Sequence, residues 1–133
     1  MRIADIEGIG PVYAARLAGV GIRSTDALLK RGATSKGRQE IVAASGIGHK
    51  LILEWVNLAD LYRIKGVGSE YSDLLEEAGV DTVVELAKRD ADHLTAKMME
   101  INQKANLVNK LPGRKQVSKW IQQAKRLPRV VSY

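Results

Sequence analysis

The chain has 133 residues, the size of one domain or of two very small modules fused together. With 45% apolar and 27% charged residues it can bury a core, and no run reaches the ~20 apolar residues that cross a bilayer. The absence of Cys excludes disulfides, thiolate metal sites and cysteine nucleophiles, while a net charge of +6 leans toward a polyanionic partner.

The first residues, Met1-Arg2-Ile3-Ala4-Asp5, meet an acid at once, so no export signal is expected and the location is expected to be cytoplasmic. Pro11 fits the first position of a helix over 11–20, which Gly21 can end as a left-handed residue. Ser24 can cap the next helix and Ser35 the third. A fourth begins near Gly48 and runs to 62. Ser69 can then cap a helix over 69–78 that stops at Gly79. Thr82-Val83-Val84-Glu85 is a capping box, Asp90 can cap the following helix, and the last occupies 114–127 after Gly113. No stretch alternates as a β-strand would. The expected fold class is all-α.

A shift of 58 lays Ile6-Glu7-Gly8-Ile9-Gly10 on Ile64-Lys65-Gly66-Val67-Gly68. It also pairs Tyr13 with Tyr71, Leu17 with Leu75, Gly21 with Gly79 and Leu28 with Leu86. Further along, a shift of 65 pairs Gly48 with Gly113, Lys50 with Lys115, Trp55 with Trp120 and Ala59 with Ala124. The change of shift implies seven extra residues in the second copy, around 94–109. An internal duplication is therefore expected, with pseudo-symmetric halves 1–63 and 64–133 packed as one compact unit.

The fourth helix of each copy carries one apolar stripe, Ile52, Trp55, Val56, Ala59 and Tyr62 in the first and Val117, Trp120, Ile121, Ala124 and Leu127 in the second. Leu51, Leu53, Leu58 and Leu61 have polar counterparts in Gln116, Ser118, Gln123 and Arg126. The first of these helices should thus be buried and join the halves, and the second should lie outside. Both Trp are expected in the core.

Four turns recur: Glu7-Gly8-Ile9-Gly10, Ser45-Gly46-Ile47-Gly48, Lys65-Gly66-Val67-Gly68 and Lys110-Leu111-Pro112-Gly113. The hydrophobe between paired glycines can plug into the core, leaving backbone N–H groups at a helix start for a phosphate oxygen. The spelling of residues 6–17 and 64–75 resembles the helix-hairpin-helix motif, and residues 21–29 resemble tandem modules such as the C-terminal domain of bacterial RNA polymerase α subunits. Over nearly the whole chain the sequence is similar to a prokaryotic helix-hairpin-helix family of unknown function. That resemblance implies a tandem, SAM-like helical bundle that binds nucleic-acid backbone, usually duplex DNA, without reading sequence. It also implies that turn carbonyls can hold a monovalent cation; no other cofactor and no metal site is expected.

Charge sorts the four turns. Residues 64–100 hold four Lys/Arg against nine Asp/Glu, whereas 101–133 hold eight against none. Gly46, Gly48, His49 and Lys50 at the second turn, and Lys110, Gly113, Arg114, Lys115 and Lys119 at the fourth, match a phosphate-binding face. Gly8 and Gly10 at the first turn, and Gly66, Gly68 and Ser69 at the third, are the weaker pair, because Glu7, Glu70, Asp73, Glu76 and Glu77 would repel phosphate. The fourth turn departs from the motif: Leu111 replaces the first glycine, and Pro112 has no N–H. No serine has a His–acid partner nearby and no carboxylates show metal-ligand spacing, so catalysis is not expected. The expectation is a non-catalytic, monomeric DNA-binding module with no membrane partner. The alternative is a protein-interaction scaffold that uses the acidic segment 70–92.

Overall fold

The computed structural model describes residues 1–6 and 8–133. Among these, regular structure is helical: α1 (Pro11–Gly19), α2 (Thr25–Gly32), α3 (Ser35–Ser45), α4 (His49–Leu61), α5 (Ser69–Glu77), α6 (Val83–Ala87), α7 (Ala91–Ala105) and α8 (Arg114–Arg126). A 3-10 turn at Ile3–Asp5 precedes α1, and one isolated bridge joins Arg2 to Ser24. Two compact units divide the chain, Met1–Asp60 with Val130–Tyr133, and Leu61–Arg129.

In the first unit α1 ends as its sequence requires. Gly21 takes a φ of +85°, Ile22 N–H donates to the Leu17 carbonyl at 2.9 Å, and both apolar side chains are fully buried. Ser24 caps α2, its hydroxyl accepting the Ala27 N–H at 3.1 Å. The cap of α3 is Thr34 and not Ser35: Thr34 has an extended backbone and accepts the Gly37 N–H at 3.0 Å, while Ser35 is already helical. Trp55 on α4 is buried, with the Tyr13 ring packed edge-on at 5.2 Å.

Residues 130–133 complete this unit. Ser132 N–H donates to the Ala33 carbonyl at 2.8 Å, and the Tyr133 hydroxyl donates to Asn57 Oδ1 at 3.2 Å. Arg38 on α3, only 4% exposed, donates to the carbonyls of Gly32, Ala33 and Ser132 at 2.9, 3.2 and 2.8 Å. Its guanidinium also lies 5.6 Å from the centre of the Tyr133 ring.

The second unit repeats many of these contacts. Gly79 has a φ of +90°, Val80 N–H reaches the Leu75 carbonyl at 2.9 Å, and Thr82 accepts the Glu85 N–H at 3.4 Å. Trp120 is buried with Tyr71 packed on it at 5.3 Å. Removing either indole would cost about 3–5 kcal/mol by the usual penalty for emptying an aromatic site. Helix α5 departs from expectation: its cap is Gly68, with no side-chain bond, and Ser69 is the first helical residue. Asp90 caps α7 by accepting the His93 N–H at 3.0 Å. Helix α7 has 15 residues against 11 in α3, and it ends on Asn106, which takes a left-handed φ of +49°. The Asn102 side chain then clasps Val108 at both N–H and carbonyl, 3.0 and 3.1 Å away.

Burial separates α4 from α8, though less completely than the leucines imply. Leu58 and Leu61 are buried, but Leu51 and Leu53 are only half-buried. On α8, Gln116 and Arg126 are exposed, with Ser118 and Gln123 half-buried.

Candidate functional site

The helix starts fall into two classes. Side chains cap α2, α3, α6 and α7, through Ser24, Thr34, Thr82 and Asp90. Glycines precede α1, α4, α5 and α8, namely Gly10, Gly48, Gly68 and Gly113. Gly10, Gly68 and Gly113 have φ between −74° and −100°, which any residue adopts, and no neighbour lies within 4 Å of where a β-carbon would stand on any of the four. Neither conformation nor internal packing therefore calls for glycine at positions 10, 68 and 113. A Ser, Asp or Asn there would cap the helix better, leaving fewer N–H groups bare.

At the second turn Gly46 ends α3 in the left-handed region, at a φ of +73°. Ile47 is buried and its N–H donates to Ser45 Oγ at 3.2 Å. Gly48, His49 and Lys50 are all exposed at the start of α4. Their arrangement is a helix N-terminus preceded by glycine, with an exposed lysine in its first turn, which suits an anion.

The fourth turn is built differently. Among the described residues only Asn106 has a positive φ outside glycine, so Leu111 crosses the turn without a left-handed backbone. Leu111 is half-buried and Pro112 buried, and the Lys110 carbonyl accepts the Tyr71 hydroxyl at 2.9 Å. Lys110, Gly113, Arg114, Lys115 and Lys119 are exposed. Arg114 does not stand alone, because its Nε donates to Asp92 Oδ1 on α7. That hydrogen bond holds the Arg114 guanidinium more firmly protonated than usual. The same neighbourhood contains Asp90, whose carboxyl is held below its ordinary pKa, first by the His93 N–H.

The first and third turns are occupied from within. Gly8 and Gly66 have φ of +90° and +97° and stand in front of Trp55 and Trp120. At the third turn the Gln123 side chain accepts the Lys65 N–H at 2.9 Å and donates to its carbonyl at 3.2 Å. Ser69 is half-buried, Glu70 beside it in the first turn of α5 is exposed, and Val12 at the first turn is 66% exposed. Glu7 lies outside the described residues.

Several working residues had little signal. Arg31 Nη1 donates to the Val20 carbonyl at 2.5 Å, and Arg89 Nη2 to Ala78 and Gly79 at 3.3 and 3.0 Å. Each closes the carbonyl end of a preceding helix. The shift of 58 aligns these two arginines, which is the clue that finds them. Among the described residues no group of three His, Asp or Glu side chains could hold a metal, and no helix is long and apolar enough to cross a membrane.

A family model described as Domain of unknown function (DUF4332) matches residues 7–127. The chain belongs to that family. The match takes in all four turns and all eight helices. No curated protein and no solved structure matches the chain.

Proposed function

We propose that this family member is an internally duplicated helix-hairpin-helix protein that binds the backbone of duplex DNA without reading sequence. The observation that carries the reading is the split between helix starts. Four helices each have one first-turn N–H held by a capping side chain, and four are preceded by a glycine with open space where a β-carbon would stand. Glycine at such a place lets a phosphate approach the bare amides. Charge then selects the second and fourth turns, where Lys50, Lys110, Lys115 and Lys119 are exposed. The duplication is supported by the matched Tyr–Trp pairs, the paired left-handed glycines and the two arginine clasps. The protein acts as a cytoplasmic monomer without catalysis, and any cofactor is at most a monovalent cation at a turn.

The test is a salt titration of binding to a mixed-sequence duplex. Affinity should fall with a log–log slope of about −0.9 for each phosphate neutralised, and Kd should be on the order of micromolar or weaker at physiological salt. Replacing Lys115 and Lys50 by Glu should weaken binding to all sequences alike. Failure to bind at about 50 mM salt, where such contacts are strong, would reject the reading. Loss of a protein partner on reversing the exposed Glu70 and Glu77 would favour the scaffold alternative.

A further inference from the structure

Helix α8 buries Val117, Trp120, Ile121 and Ala124. At 100° per residue, Lys115, Lys119, Gln122 and Arg126 lie on the line diametrically opposite that stripe, and all four are exposed. They follow one another at intervals of four, three and four residues, over about 16 Å of axis at 1.5 Å per residue. Each is a hydrogen-bond donor, and no carboxylate occurs anywhere in residues 101–133.

The free helix gains little from this arrangement. Lys115 sits at the positive end of the helix dipole, with no acid in the first turn and no side-chain cap. Lys115 and Lys119 are like charges four residues apart, which disfavours the helix. Arg126 alone is well placed, in the last turn. The matching positions on α4 are Lys50, Glu54, Asn57 and Leu61. Of these, Asn57 accepts the Tyr133 hydroxyl and Leu61 is buried. The ridge therefore belongs to α8 alone.

We infer that the outer ridge of α8 is a track for one phosphodiester strand, continuing from the fourth turn along the helix. Its length spans roughly five phosphate steps, counted at ~3.4 Å of duplex axis per strand. The inference rests on the backbone-binding reading and adds to it a footprint and an asymmetry. The second unit carries most of the affinity, through Lys119 and Arg126 as well as the turn. Gln122 between them contributes a donor without charge, which suits a strand followed along its length.

The experiment compares the full chain with Lys119→Gln/Arg126→Gln and with Lys97→Gln/Lys104→Gln. The second variant makes the same charge change on exposed α7 positions of the same unit. Binding to a labelled mixed-sequence duplex is followed from about 50 to 200 mM salt. The ridge variant should lose about 1.8 from the salt slope, two phosphates at ~0.9 each, and the α7 variant should keep the parent slope. Circular dichroism should show the parent helix content in both. If the two variants share one slope, the ridge is not a contact, Lys119 leaves the fourth-turn set, and the turn reading rests on Lys50, Lys110 and Lys115. If the parent itself fails to bind at low salt, the reading and the inference fall together.

Discussion

The backbone of Gly66 passes so close to Trp120 that a β-carbon there would stand 3.1 Å from the indole Nε1. Gly66 also takes a φ of +97°, where a β-carbon is strained in open space. Gly66→Ala should therefore destabilise the protein by about 2–3 kcal/mol, of which ~1–2 is the backbone term. At Gly8 the matching distance is 3.9 Å, so Gly8→Ala should cost only the backbone term of about 1–2 kcal/mol. Thermal unfolding of the two variants reads the difference, and equal losses would mean that the indole yields freely.

Arg38, itself buried, supplies donors to three carbonyls: those of Gly32 at the end of α2, of Ala33 just after it, and of Ser132. Arg38→Met keeps the bulk and removes every donor. A loss of about 2–3 kcal/mol is expected, since each buried polar group left unsatisfied costs ~1–3. Arg38→Lys should recover little, because one ammonium cannot reproduce the guanidinium fork. Urea unfolding measures both, and full recovery by lysine would show that charge alone matters.

Acid should act on the start of α7. The Asp90 carboxyl is held below its ordinary value, chiefly by the His93 N–H, then by the His93 charge, the Asp92 N–H and the Arg114 charge. A folded-state pKa below the unfolded one contributes stability that is present above the unfolded pKa of about 3.9 and lost as pH falls through the folded value. NMR titration should find Asp90 protonating below the ordinary Asp range, with fraying of the first turn of α7 following the same curve. Asp90→Asn should keep the cap and abolish that pH dependence.

Opening Gly113 to a better cap should separate stability from binding. Gly113→Ser gives the first N–H groups of α8 an internal partner and should stabilise the helix by a few tenths of a kcal/mol. The same hydroxyl occupies the approach to the bare amides, so duplex binding should weaken. A variant that gains melting temperature and keeps its affinity would remove the fourth turn from the interface.

Asp92 should act as an internal competitor for phosphate. Its carboxylate takes the Arg114 Nε, and both side chains are about two-thirds exposed. Exposed pairs of this kind are weak, so Asp92→Asn should tighten duplex binding at low salt by about five-fold at most. A gain of affinity cannot come from misfolding. No change on this substitution would mean that Arg114 takes no part.

Features set by neighbours in sequence were legible before the fold was known. Ser24, Thr82 and Asp90 cap where the pattern puts them, Gly21 and Gly79 are left-handed, and Trp55 and Trp120 are core. The one-residue slip from Ser35 to Thr34 shows the limit of that reading, since both residues can cap and only the backbone decides. Long side chains were the least legible. Arg31 and Arg89 reach back 10 or 11 residues, and Arg38 reaches Ser132, 94 residues away. Arg114 looked like a phosphate ligand from its place in a basic run, yet it meets Asp92 across two helices. Periodicity cannot show such partners, because reach and direction depend on packing.

The attachment of residues 130–133 to the first unit has a consequence for synthesis. The ribosome delivers residues 61–129 after most of that unit and before the segment that closes it. The Ala33–Ser132 pairing spans 99 residues, so until the second unit condenses its closure must draw together a long slack chain. Once residues 61–129 have folded, the same closure costs far less entropy. Full closure of the first unit should therefore come last, because Arg38 lacks its Ser132 partner until translation has passed that residue.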